Sequence, residues 1–133
     1  MKSLCLTFRI HHPVPLRKYR FFDIGAEHGY YDDYTLEAAI KQLAHRCYLP
    51  TATLLLHQIN RQDGGVKAAI YLSGTTRELF DRYTPEVMTL FRELAATQQV
   101  EFLGGTYSHS LASLADEETF STQATLHRDS IYD

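Results

Sequence analysis

The side chains best suited to chemistry in this sequence of 133 residues lie where apolar stretches end. The clearest case is residues 100–109, which read VEFLGGTYSH. The stretch opens like a buried strand, and Glu101 stands inside it, where an ionised carboxylate is costly unless it is paired or used. Tyr107 and His109 follow the two glycines and can exchange hydrogen bonds with a polar ligand. The pattern also fits a core strand with one edge-facing glutamate and a Gly-Gly turn.

A second polar cluster follows the first predicted strand, Ser3–Ile10, in which apolar and polar residues alternate with period two. Pro13 cannot continue a central strand, so the strand ends before it. His11 and His12 therefore stand at a strand end, where ligands gather in α/β folds. Adjacent strand residues point to opposite faces, so the pair is equally compatible with ordinary hydrogen-bonded histidines.

Residues Val14–Tyr34 are rich in aromatic and charged side chains and predict a long irregular segment. Loops of this length are usually functional or disordered, and the aromatic density favours an ordered loop that packs over a site. Asp32 and Asp33 could form a metal or catalytic pair, but no His-x-x-x-His partner follows at a usable spacing. We expect no metal site here, and we expect Asp33 or Thr35 to cap the following helix.

Helices and strands alternate in the rest of the sequence. Apolar residues recur with helical spacing over Thr35–Cys47, with Cys47 on the apolar face, and Pro50 is expected to end that helix. The further predicted elements are a helix over Thr51–Asp63 stopped by Gly64-Gly65, a strand at Val66–Leu72, a short helix capped by Thr75 or Thr76, a helix from Thr84-Pro85-Glu86 to about Gln98, the strand at Val100, and a final helix from Asp116. This order predicts parallel strands joined by crossovers, and hence an α/β fold.

Composition argues against several classes of protein. The net charge of −3 provides no basic field for nucleic acid. No apolar run approaches the ~18 residues of a membrane helix. The number and spacing of the cysteines, Cys5 and Cys47, match neither a metal site nor a disulfide framework. We therefore expect one domain over residues 1–133, a cytoplasmic location and no cofactor.

Several motifs, taken in order, resemble glycoside hydrolase family 57, the α-amylase and 4-α-glucanotransferase family. His11-His12-Pro13 resembles the family's His-Gln-Pro motif, with His12 in the place of Gln, and Gln99-Val100-Glu101 resembles its Gly-Gln-x-Glu motif. The segments YRFFD (19–23), YYDDY (30–34), CYLP (47–50) and LSGT (72–75) resemble one amylase-like subgroup. So does GGTYSHSL (104–111), in which Gly105 holds a place that is usually acidic. The resemblance extends over about residues 4–132.

The resemblance implies the N-terminal portion of a (β/α)7 barrel in a retaining hydrolase or transglycosylase that acts on α-1,4-glucans. The family's nucleophile, a Glu, and its acid/base, an Asp, belong to later strands, so no catalytic residue is assigned. A substrate-binding set carries over: His11, Glu101, Tyr107 and His109. We expect His11, Glu101 and His109 to converge at the carboxyl end of the sheet, against an α-glucan or maltooligosaccharide.

Two other functions stay open. One is a non-catalytic carbohydrate-binding or scaffold domain of the same fold. The other is a metal-dependent polysaccharide deacetylase, which would need an Asp with two His at helical spacing, a pattern that the sequence lacks. If a barrel is cut after three or four strands, a sheet edge is left unpaired, so residues 1–133 alone are expected to self-associate.

Overall fold

The computed structural model of the protein describes residues 5–26, 28–61 and 66–132. Its elements are β1 (Leu6–Ile10), α1 (Asp33–Leu43), α2 (Leu49–Ile59), β2 (Ala68–Leu72), α3 (Gly74–Tyr83), α4 (Pro85–Ala96), β3 (Val100–Phe102) and α5 (Glu117–Tyr132), with short 3-10 turns at Phe21–Asp23 and Ala112–Leu114. The predicted α/β fold is confirmed. The predicted cap at Gly64-Gly65 lies outside the described residues.

The three strands form one parallel sheet with β2 in the middle. Alternate residues divide the sheet into two faces. Phe8, Ile70 and Val100 belong to the core, which α2 and α4 help to enclose on one face. On the opposite face, Arg9 pairs in register with Tyr71, and both Arg9 and Glu101 are exposed. We call this second surface the open face; the carboxyl ends of all three strands meet at one edge of it.

Helix α1 does not end at Pro50 as predicted. A π-helical turn, Ala44–Tyr48, leads directly into α2, which holds Pro50 in its first turn. Proline is tolerated in the first turn of a helix because an N–H group there has no acceptor within the helix, and because its fixed φ suits the helix. The π turn adds a residue and so changes the helical phase. Cys47 is therefore exposed instead of lying on the apolar face.

The caps of α3 and α4 also differ from the prediction. Ser73, and not Thr75 or Thr76, caps α3 by accepting the Thr76 backbone N–H. Thr84 stands at the N-cap position of α4, with Pro85 first in the helix, but its buried hydroxyl makes no hydrogen bond within the described residues. Helix α5 follows Asp116, whose carboxylate accepts the Thr119 N–H at 2.7 Å, as a cap does.

Candidate functional site

Two histidines from separate segments meet at the carboxyl edge of the sheet. His11 directly follows β1, and His109 lies in the turn after β3. Their ring centroids are 4.6 Å apart, with the planes inclined by 33°. The prediction that these two residues meet at the same end of the sheet is therefore confirmed. Both rings are half-buried and so remain accessible to a ligand.

Hydroxyl groups at the start of α3 hold His11. The Thr76 hydroxyl accepts the His12 backbone N–H at 2.8 Å, and its own proton has one acceptor in the described chain, the Ser73 oxygen at 2.8 Å. The Ser73 hydroxyl then has two acceptors within reach, Nδ1 of His11 at 2.9 Å and the Thr75 hydroxyl oxygen at 3.4 Å, and we assign its proton to the shorter contact with His11. Nδ1 is the acceptor in this arrangement, so neutral His11 carries its proton on Nε2.

The pKa of His11 is lowered, first by burial of the ring and then by the nearby imidazoles of His109 and His12. Burial disfavours the charged imidazolium, and nearby imidazoles disfavour it further. The His11 ring is therefore kept neutral at a lower pH than an ordinary histidine. A neutral ring with a proton on Nε2 is a hydrogen-bond donor toward a ligand.

His109 lies in a tight turn that Thr106 closes. Its φ of 53° is left-handed, a conformation in which histidine is more common than most non-glycine residues. The His109 N–H donates to the Thr106 carbonyl at 3.1 Å, and the Thr106 hydroxyl accepts the Ser110 N–H at 2.8 Å. Such a conformation costs of order 1–3 kcal/mol, so the turn must be held by these bonds.

Tyr71 is a member of the site that the sequence did not reveal. The centroid of its buried ring lies 5.3 Å from that of His109, and the ring also stacks on His127 at 5.3 Å. We call the series His11, His109, Tyr71 and His127 the ring column. A tyrosine within an otherwise apolar strand was the available signal, since a buried hydroxyl usually needs a partner.

Glu101 is not brought to the histidines. Its exposed carboxylate lies on the open face, in register with Ala69, and forms no hydrogen bond or ion pair within the described residues. The expected convergence of Glu101 with His11 and His109 is therefore not observed. The expected cost of burying the carboxylate does not arise either, because the side chain faces away from the core.

Tyr107 turns toward α3. Its hydroxyl donates to Glu78, and its ring fills the space beside Gly74, where a Cβ would lie 2.1 Å from the ring. Burial and then the bond to Glu78 raise the pKa of Tyr107 to about 12. The hydroxyl that the sequence offered for a ligand is thus engaged at α3.

Comparisons with known proteins decide the family. The sequence profile of glycosyl hydrolase family 57 matches residues 5–133. The chain belongs to glycosyl hydrolase family 57. It is 31% identical over 131 residues to a Methanocaldococcus jannaschii protein named "Putative alpha-amylase"; the match covers 94% of this chain and 27% of that protein.

The fold also matches a solved structure. The chain superimposes on the crystal structure of 4-alpha-glucanotransferase from Thermococcus litoralis with a TM-score of 0.69 at 16% identity. The match covers 96% of this chain and 16% of that structure. The three parallel strands thus correspond to the N-terminal portion of a family 57 barrel, as predicted.

In this family 57 chain, Asp32 has a structural role. Its carboxylate accepts the Thr35 N–H at 3.0 Å and the Thr35 hydroxyl proton at 2.7 Å, so Asp32 caps α1, and the predicted cap at Asp33 or Thr35 is wrong. The same bonds lower the pKa of Asp32. Across residues 5–26, 28–61 and 66–132, no three His, Cys, Asp or Glu side chains are grouped as metal ligands.

The aromatic loop between β1 and α1 is largely irregular, as predicted. Leu16 and Tyr31 form an isolated antiparallel bridge across its base. The side chains of Phe21 and Phe22 are 81% and 87% exposed. The expected packing of this loop over a site is therefore not seen for these side chains. The helices in the described part of the chain are not long and apolar enough to cross a membrane.

Proposed function

We propose that the full protein containing this family 57 chain acts on α-1,4-glucans as a retaining hydrolase or transglycosylase. In this proposal, residues 5–133 supply part of a sugar subsite and no catalytic carboxyl group. The protein carries out this reaction in the cytoplasm on an α-glucan or maltooligosaccharide. The observation that carries the proposal is the His11–His109 pair at the carboxyl edge of a family 57 sheet.

The chemistry of this pair suits a sugar. A hydroxyl group both donates and accepts a hydrogen bond, and neutral His11 offers a donor at Nε2. An accessible imidazole pair in a neutral state can bind hydroxyls without attracting a counterion. Half-buried rings also provide apolar surface for the C–H groups of a pyranose.

Glu101 and Tyr107 keep different parts in the proposal. Glu101 remains available to accept a hydrogen bond from a sugar hydroxyl, because its carboxylate is exposed on the open face. Tyr107 supports the subsite by joining the turn after β3 to α3 through Glu78. The nucleophile and the acid/base come from other segments of the full protein, as in retaining enzymes with two carboxyl groups roughly 5–5.5 Å apart.

The test is to assay the full-length protein on maltooligosaccharides and to follow the anomeric configuration of the first product by NMR. We expect retention. His11→Ala and His109→Ala should each lower kcat/KM by about two- to twelvefold, since each removes a hydrogen bond to the substrate. His45→Ala is the matched control, because His45 is exposed on the π turn, away from the strand ends.

Two results would contradict the proposal. Inverted products would exclude the retaining mechanism. A full-length protein that binds glucans without turning them over would favour the non-catalytic carbohydrate-binding domain. The isolated 1–133 chain is expected to show no turnover, and turnover by it would overturn the assignment of the carboxyl groups to other segments.

A further inference from the structure

The Tyr71 hydroxyl lies within hydrogen-bond distance of two groups, the Thr106 carbonyl and the His109 ring. It donates to the Thr106 carbonyl at 2.8 Å and lies 3.3 Å from Nδ1 of His109. A tyrosine hydroxyl has a single proton, and here the carbonyl takes it. Nδ1 of His109 must therefore be the donor in the second bond. This leaves Nε2 of a neutral His109 as an acceptor.

Two neighbouring histidine rings contact the Tyr71 ring. His127 of α5 is 1% exposed and donates from Nε2 to the Leu72 carbonyl at 2.8 Å, which fixes its ring against the end of β2. Tyr71 stacks on this fixed ring with the planes inclined by 16°. The His109 ring also contacts Tyr71, with the ring centroids 5.3 Å apart. The Tyr71 hydroxyl is thus a rigid acceptor for His109.

Gly105 provides the space for this arrangement. A Cβ at Gly105 would lie 2.3 Å from a ring carbon of Tyr71, a distance that real Cβ contacts do not show. The φ of Gly105 is not left-handed, so the backbone itself does not require glycine. A side chain at this position is therefore excluded by the Tyr71 ring.

We propose that Tyr71 is a positioning residue that fixes the tautomer of His109. The absence of a side chain at Gly105 leaves the space that the Tyr71 ring occupies. His109 then presents an acceptor at Nε2, on a ring whose centroid is 4.6 Å from that of His11 with its donor Nε2–H. The two rings together can bind a sugar hydroxyl as donor and as acceptor. The tautomer of His109 follows from the hydrogen-bond geometry, whereas the role of His109 in binding sugar rests on the proposed function.

The first test measures the tautomer directly. Long-range ¹H–¹⁵N correlation spectra of ¹⁵N-histidine-labelled full-length protein are recorded at pH about 8.5, above the ordinary imidazole pKa of about 6.5. We expect a protonated Nδ1 on His109 in the wild type and a protonated Nε2 in Tyr71→Phe, which keeps the ring and loses the acceptor. Tyr83→Phe is the control, because the Tyr83 hydroxyl is buried and has no described partner. An unchanged His109 tautomer in Tyr71→Phe would overturn the proposal.

The second test measures glucan binding by calorimetry on the same proteins. Tyr71→Phe should weaken binding of a maltooligosaccharide by about two- to twelvefold, the range of one hydrogen bond. Tyr83→Phe should leave Kd unchanged. If the tautomer changes in Tyr71→Phe but the wild type binds no glucan, the positioning role is supported while the proposed function fails.

A double-mutant cycle tests the role of Gly105. Gly105→Ala should weaken glucan binding at least as much as Tyr71→Phe does, because the added methyl displaces the ring. The same substitution in a Tyr71→Ala background should have little further effect, since the ring is gone. Equal effects of Gly105→Ala in both backgrounds would overturn the assigned role of Gly105.

Discussion

Replacing Ser73 by alanine tests the hydrogen-bond network that holds His11. Ser73 is fully buried, and its oxygen serves α3, Thr76 and His11 together. Loss of the cap costs about 1 kcal/mol, and stranding the buried Thr76 proton costs about 1–3 kcal/mol. We therefore expect Ser73→Ala to destabilise α3 locally by about 2–4 kcal/mol. At 1.4 kcal/mol per factor of ten, this is about a 30- to 700-fold loss of amide protection.

Native-state hydrogen exchange on α3 amides measures this loss in the full-length protein. Ser121→Ala is the matched control, because it makes the same chemical change at an exposed position of α5. We expect that control to change protection by less than about threefold, in line with other surface substitutions. If Ser73→Ala were no more costly than Ser121→Ala, the buried network would not support α3 or His11 as described.

Four further outcomes are expected. The lowered pKa of His11 means that its contribution to stability is present above pH about 6.5 and is lost as the pH falls through its folded pKa. His11→Ala should remove this part of the pH dependence of the free energy of unfolding. Identical curves of unfolding free energy against pH for the wild type and the variant would contradict this. The pKa of Tyr107 is raised from 10.0 to about 12, so its contribution to stability is present below pH about 10 and is lost between pH about 10 and 12. Tyr107→Phe should remove a tyrosinate absorbance that appears only near pH about 12. An absorbance at pH about 12 that is the same in the wild type and the variant would contradict this. Residues 1–133 produced alone should dimerise or aggregate through the sheet edges at β1 and β3, whereas a clean monomer by light scattering with a cooperative thermal transition would refute this. Extensive dialysis against a chelator should leave the activity of the full protein unchanged, whereas a stoichiometric metal bound at Asp32 or Asp33 would revive the deacetylase hypothesis.

The sequence predicted the sheet and its polar edge because short-range patterns control both. The period-two alternation before His11 and the apolar run at Val100 correspond to β1 and β3. The proline that follows Thr84 marks the start of α4. Parallel order then follows from alternation of the elements. These features depend on neighbours along the chain, which a sequence displays directly.

The predictions from sequence fail where a residue distant in the chain or a local irregularity of the backbone determines the structure. Pro50 was expected to stop a helix, but the π turn before it lets the chain continue as α2. Glu101 was expected to need a partner, yet the open face leaves it in solvent. Tyr71 gained its role from Thr106 and His109, residues far away in sequence. No periodicity encodes such contacts.

The ring column also has a kinetic consequence. It runs from His11, after the first strand, to His127, in the last described helix, so it joins the two ends of the described chain. Contacts of such high sequence separation form late, because a long loop must close before they stabilise anything. During synthesis, β1 and β2 can pair well before α5 exists. The ring column is therefore completed only when α5 docks, and a chain that still lacks α5 leaves Tyr71 without its His127 neighbour.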